Sequence, residues 1–304
     1  MEELLFYSLI SIFVAFCWGL NSHLIKKGMK NEDPIMALAI RSLFSIPFMF
    51  LLLIILGIFN SFQAYLVPNF LIFVIGSGIC LVVGDGFYNL ALKRYPVNII
   101  LPVSSIYPLF TSMILILLGL EVISILIIIG TVIVIIGVAI VSTSGKKTLE
   151  FTNFSLNALL MALIPAIFWG FSIIFIKIAM EGDDVNALGT TSIRICLIFI
   201  FSIIAFIISQ RNFTKIKNYF IRPREEIFHS WGFMILSGII GWVIGGTIFF
   251  IAIEEIGASI PTPITSTSPI VAAMIGIVMK IEEINKTQLF GILLSVLGTI
   301  IIII

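Results

Sequence analysis

Asp85 stands inside an apolar run, about seven residues from the run's basic end, Lys93-Arg94. A carboxylate at mid-membrane costs about 2.5–3.5 kcal/mol on the insertion scale, so a retained one faces a cavity or a partner. Helical spacing puts Tyr88 and Asn89 on the same face. Arg41 is the expected partner. It lies about seven residues into the preceding apolar run, entered from the same side, so both side chains start roughly 10 Å deep at 1.5 Å per residue. Such a pair does one of two things. It is a titratable carboxylate whose proton or ion coupling Arg41 gates, or it is a permanent structural ion pair. At this depth the carboxylate is also within reach of hydration from the interface.

A second intramembrane cation, Arg194, has Gly246 where the first half has Asp85. It can reach outward toward Glu181, Asp183 and Asp184, or it can be a contact for an anionic group. Trp18-Gly19 and Trp169-Gly170 lie deeper than an interfacial aromatic belt requires, with Asn21 and Ser172 three residues further on. They either line a cavity near the bilayer centre or pack helices. Pro102 and Pro108 bracket Ser104, Ser105 and Tyr107, and Pro263 and Pro269 bracket Thr265, Ser266, Thr267 and Ser268. Proline removes a backbone donor and kinks a helix. The carbonyls it frees are tolerated in lipid only where they face protein or water. These two segments are candidates for a polar lining, together with Thr247; the alternative is a plain kink with the hydroxyls bonded back to the preceding turn.

Other chemistries lack their residues. There is no nucleotide-binding P-loop, no Ser-His-Asp or His-Glu-x-x-His pattern, and His23 and His229 are too far apart in sequence to suggest a metal site. Cys17, Cys80 and Cys196 are isolated in apolar runs and read as packing residues. No cofactor, metal or enzymatic role is expected. Net charge of +1 argues against a nucleic-acid partner.

The elements that must hold these residues are membrane spans. The chain is 60% hydrophobic and 11% charged, with a mean hydropathy of +1.22, which excludes an ordinary soluble domain. The predicted fold is an all-α integral membrane protein of ten transmembrane helices: Leu4–Ile25, Pro34–Ile58, Asn69–Leu92, Val97–Leu118, Val122–Val141, Ser155–Ile178, Val185–Ser209, Ser230–Ile253, Ser259–Met279 and Lys286–Ile304. The start, Met1-Glu2-Glu3, lacks the basic stretch of a cleavable signal, so the first span is expected to be retained. Of the 17 Lys and Arg, fourteen fall on one side: Lys26, Lys27, Lys30, Lys93, Arg94, Lys146, Lys147, Arg211, Lys215, Lys217, Arg222, Arg224, Lys280 and Lys286. Lys177 alone falls on the other. The positive-inside rule makes the crowded side cytoplasmic and puts both termini outside, in what is expected to be a prokaryotic cytoplasmic membrane.

The chain also repeats itself. Gly84, Ala91, Pro102, Pro108, Glu121, Gly130 and Gly137 recur 161 residues later as Gly245, Ala252, Pro263, Pro269, Glu282, Gly291 and Gly298. Trp18-Gly19 and Ile25-Lys26 recur 151 residues later as Trp169-Gly170 and Ile176-Lys177. This divides the chain into five-helix repeats at 1–142 and 154–304, joined by a polar linker at 143–153. An odd number of spans inverts the second copy relative to the first, an arrangement typical of secondary transporters. The fifth and tenth helices, nearly free of polar groups and marked by Gly130, Gly137, Gly291 and Gly298, read as scaffold.

In its order of motifs the chain resembles the drug/metabolite transporter superfamily, in particular its EamA-type members. Trp18-Gly19, Asn21, Lys26, Arg41, Pro102, Pro108 and Glu121 carry the resemblance, and Trp169-Gly170, Lys177, Arg194, Pro263, Pro269 and Glu282 carry it again. The resemblance covers nearly the whole chain. It implies a ten-helix bundle with a central cavity open to one side at a time, moving small metabolites, often amino acids or their analogues, usually outward. Family members are often drawn with both termini in the cytoplasm, the reverse of the charge count here. The expected function is secondary transport of a small organic solute in a lipid bilayer, with protons as a candidate coupling ion. A facilitator-like pore and a non-transporting membrane receptor or structural subunit are the alternatives.

Overall fold

The computed structural model describes residues 2–57, 65–143, 156–182, 185–210, 224–278 and 285–304. Among these residues every regular element is a helix. The elements are α1 (Glu2–Gly28), α2 (Pro34–Ile55), α3 (Pro68–Arg94), α4 (Val97–Ser104), α5 (Tyr107–Leu117), α6 (Ile125–Thr143), α7 (Leu156–Ala179), α8 (Ala187–Gln210), α9 (Arg224–Gly238), a π-helical segment Ile239–Gly246, α10 (Thr247–Ile256), α11 (Pro261–Thr265), α12 (Ser268–Val278) and α13 (Lys286–Ile303). They make ten spans, since α4 and α5 form the fourth, α9 through α10 the eighth, and α11 with α12 the ninth. Nine are long and apolar enough to cross a membrane; the apolar stretch of the fifth, Ile125–Val141, is shorter. The protein is a multi-pass integral membrane protein. The linker lysines Lys146 and Lys147, and Asp183, Asp184 and Glu282, lie outside the described residues.

Local chemistry sets several helix ends. Asp33 caps α2, its Oδ1 accepting from the Ile35 and Met36 amides, with Pro34 as the first helical residue. The second span stops at Ile55 rather than Ile58 because Gly57 turns the chain with a φ of +69°. Lys26 Nζ donates to the carbonyl oxygens of Leu92 and Tyr95 at the end of α3, placing a cation where the helix dipole is negative. α13 starts with a reciprocal capping box between Asn285 and Gln288.

Each half packs largely against the other. The third span runs along the sixth as the eighth runs along the first; the fourth meets the sixth as the ninth meets the first; the second pairs with the seventh and the fifth with the tenth. Exchanging the halves leaves this contact pattern unchanged, as a two-fold relation requires. The glycine seam shows the sense of that relation. A Cβ on Gly130 would fall 2.8 Å from the Gly298 carbonyl oxygen, and one on Gly137 would fall 2.6 Å from that of Gly291. The earlier glycine of one helix meets the later glycine of the other, so the equivalent fifth and tenth spans are antiparallel. The two five-helix units are inverted repeats.

Candidate central cavity

A cavity of about 110 Å³ lies between the two halves. Among the described residues, eight spans reach it: all except the fifth and tenth. Trp18, Asn21, Tyr88, Ser105, Tyr107, Trp169 and Ser172 line it, together with Arg41, Asp85 and Arg194. Arg41 and Arg194 bring the second and seventh spans into its wall.

The polar centre is built around Asp85. Its Oδ2 accepts from Arg41 Nη1 at 3.3 Å, and its Oδ1 accepts from Trp169 Nε1 at 2.8 Å. The Arg41 side chain is 1% exposed and that of Asp85 8%, so neither charge is neutralised by bulk water. At 3.3 Å the ion contact is longer than the 2.7–2.9 Å of a tight charge-assisted bond. Arg41 also stacks its guanidinium 4.0 Å from the Trp242 ring centroid on the eighth span, and so bridges the two halves. Trp169 is held between Tyr88, at 5.1 Å, and Tyr107, at 6.0 Å between ring centroids. Tyr88 donates to Ser22 Oγ, and Ser22 donates to the Trp18 carbonyl.

The second copy rebuilds this arrangement with one piece missing. Trp169 rests on Gly84, where a Cβ would come within 3.1 Å of the indole; Trp18 rests in the same way on Gly245, at 3.0 Å. Gly246 offers no carboxylate, and Trp18 Nε1 donates instead to the Gly241 carbonyl oxygen at 3.0 Å. Gly241 lies in the π-helical segment, which sequence reasoning missed. Single π-helical turns of this kind are frequent at functional sites. Arg194 donates to Ser172 Oγ at 2.7 Å and sits 4.9 Å from the Phe250 ring centroid. Glu181, offered as its outward partner, pairs with Lys177 at 3.2 Å.

The Trp-Gly pairs also let the broken helices in. A Cβ on Gly19 would meet the Ser268 carbonyl oxygen at 2.7 Å, and one on Gly170 would lie 3.5 Å from that of Tyr107. Ser268 is the repeat equivalent of Tyr107. The fourth and ninth spans are interrupted at equivalent places, Ser105–Ile106 and Ser266–Thr267, just ahead of Pro108 and Pro269. These breaks bring Ser105, Tyr107 and Ser268 to the cavity wall.

Five other residues named from sequence lie away from that wall. Ser104 bonds to the carbonyls of Ile100 and Ala162. Thr265 shares a hydrogen bond with Tyr107 at 2.7 Å, and Ser266 bonds back to Pro263. Thr247 meets Met49 Sδ at 3.7 Å, and Asn89 donates to the Pro34 carbonyl. Sequence reasoning missed Ser22, Gly241, Trp242, Phe249 and Phe250 as lining residues, while Ser268, named in the second proline-bracketed segment, is at the wall. The 3.6-residue period from Trp18 and Gly246 could have indicated Ser22 and Phe249-Phe250. Among the described residues no group of His, Cys, Asp and Glu could hold a metal ion.

The model of the EamA-like transporter family matches this chain twice, over residues 5–143 and 156–304. An uncharacterized transporter of Archaeoglobus fulgidus is 26% identical over 298 residues, 97% of this chain and 96% of its own. An uncharacterized protein of Methanocaldococcus jannaschii is 27% identical over 152 residues, which are 48% of this chain but 96% of that protein, about one repeat's length. A solved crystal structure superposes with a TM-score of 0.72 at 13% identity, covering 99% of this chain and 96% of that one, a likeness of fold. The family match spans both halves, and the chain belongs to the EamA-like transporter family.

Proposed function

We propose that this EamA-like transporter moves small organic solutes, amino acids and related compounds or drugs among them, by alternating access, and that its working direction is export. The observation that carries the reading is the position of the cavity. It sits at the junction of the two inverted halves, and several of its polar groups are held by contacts that cross from one half to the other. Trp169 of the second half binds Asp85 of the first, and Trp18 of the first binds Gly241 of the second. Rocking the units 1–142 and 154–304 against each other would break and remake these contacts while opening the cavity to one side and then the other. Only a solute that binds the two states differently biases that exchange.

The lining suits an amphipathic solute. Trp18, Tyr88, Tyr107, Trp169, Trp242, Phe249 and Phe250 give large apolar faces, and Arg41, Asp85 and Arg194 give fixed charges. Asp85 is the candidate coupling group. A proton on its carboxyl would release Arg41, and loss of that proton would restore the pair. The placement of lysine and arginine supports an orientation with both termini outside. Among the described residues, Lys26 and Lys93 meet Leu92, Tyr95 and Glu32 at one shared end of the bundle.

The test is a thermal-shift screen of metabolites on the purified protein, followed by uptake of each hit into proteoliposomes. Saturable uptake that responds to a pH gradient in the wild type and not in Asp85→Asn is expected. Passive flux that does not saturate would identify an uncoupled pore instead.

A further inference from the structure

The two halves of the cavity hold unequal charge. Among the described residues its wall carries two cations, Arg41 and Arg194, and one acid, Asp85. Asp85 is paired with Arg41 at 3.3 Å. Arg194 gives one hydrogen bond to the neutral Ser172 hydroxyl, and its Nε is buried without a partner. Asp85 also acts on Arg194 through space, yet its ion pair is with Arg41, so the cavity keeps one cation in excess. A buried cation without a paired acid is destabilising, so its retention calls for a ligand that supplies one.

The missing counter-ion has a definite place. Gly246 occupies the position of Asp85 in the second repeat and lines the same cavity. A Cβ built there would meet nothing nearer than the Gly241 carbonyl oxygen at 3.7 Å, so the space is open. The seventh span, which carries Arg194, packs against the π-helical segment that ends at Gly246. Phe250, over which the Arg194 guanidinium sits at 4.9 Å, is one turn beyond Gly246 on the same face. Position 246 is therefore within reach of Arg194, as Asp85 is within reach of Arg41.

We propose that the transported solute carries a carboxylate, and that this carboxylate docks on Arg194 in the space beside Gly246, supplying to the second repeat the charge that Asp85 supplies to the first. The inference rests on the transport reading above and narrows its substrate class to carboxylate-bearing solutes, whose apolar part lies against the aromatic walls.

Two measurements on the full-length purified protein test it. The first needs no ligand. Gly246→Asp supplies the carboxylate internally, and Gly246→Asn adds the same bulk without charge. Gly246→Asp is expected to melt about 2–4 °C above Gly246→Asn, and the gain should vanish in an Arg194→Gln background. The second uses the proteinogenic amino acids and aromatic monocarboxylates, each beside its primary amide. At least one carboxylate is expected to bind about tenfold or more tightly than its amide, and Gly246→Asp is expected to lose that preference. If neither Gly246 variant folds, Arg194→Gln alone must abolish the carboxylate-over-amide preference. Absence of coupling between positions 194 and 246, amides binding as well as carboxylates, or no carboxylate binding at all overturns the inference. Coupling and carboxylate binding without transport in proteoliposomes would leave the docking site intact and overturn the transport reading instead.

Discussion

Trp169 Nε1 donates to the Asp85 carboxylate at 2.8 Å, whereas Trp18, its counterpart in the other repeat, donates to the backbone carbonyl of Gly241 at 3.0 Å. Two equivalent indoles thus cross the junction to equivalent helices but end on different acceptors, one ionic and one neutral. Hydrogen bonds to charged groups contribute about 1.5–3 kcal/mol and neutral ones about 0.5–1.5 kcal/mol. Trp169→Phe should therefore destabilise the protein more than Trp18→Phe by about 1 kcal/mol, read from denaturation midpoints in one detergent. Equal losses, or the reverse order, would show that the Asp85 contact is not the stronger one.

Arg41 and Asp85 are buried together, so removing one leaves the other uncompensated. Arg41→Ala and Asp85→Leu should each cost about 3–5 kcal/mol. The double variant should cost clearly less than the two combined, because no lone charge remains. Additive losses in this cycle would mean that the 3.3 Å pair contributes no coupling.

Glu121 ties the halves together at one end of the bundle. Its carboxylate accepts from the Ala258 amide at 2.6 Å and the Ser259 amide at 3.0 Å, immediately before the ninth span. Glu121→Ala should cost about 1–3 kcal/mol by leaving two amides without this acceptor. Glu121→Gln, which keeps a carbonyl acceptor, should recover part of that loss. A Gln variant no better than the Ala variant would assign the effect to packing.

The glycine seam of the fifth and tenth spans should bear on stability alone. A Cβ at Gly298 would fall 2.8 Å from both the Gly130 carbonyl oxygen and the Val134 amide nitrogen, neither of which is a flexible side-chain end. Gly298→Ala should cost about 1–3 kcal/mol through overpacking. Relative affinities for a panel of solutes should stay unchanged, since neither span reaches the cavity. A changed preference order would show that the seam shapes the site.

Much of this was legible in the sequence. The repeat offsets fixed which residues correspond, and the odd number of spans fixed the inversion; both reappear in the antiparallel meeting of Gly130 with Gly298. The depth of Arg41 and Asp85 in neighbouring spans announced their pairing. The doubled prolines announced breaks in the fourth and ninth spans. Cross-half contacts were not legible. Nothing in the order of residues around Trp169 says that its indole reaches Asp85, because that depends on how the third span lies along the sixth. The π-helical segment has no propensity signal of its own; Ile239–Gly246 reads as an ordinary apolar helix with glycines. Asn89 shares a helical face with Asp85 by count, yet a face is broad. It turns toward Pro34 at the edge of that face, while Asp85 faces the cavity.

Counterflow into proteoliposomes tests the account at its centre. Vesicles loaded with an excess of an unlabelled solute that stabilises the protein should take up the labelled solute faster than empty vesicles, transiently and saturably, because one cavity returns loaded from each side. Uptake that is indifferent to internal solute and linear in external concentration would contradict alternating exposure of the chamber between the two halves.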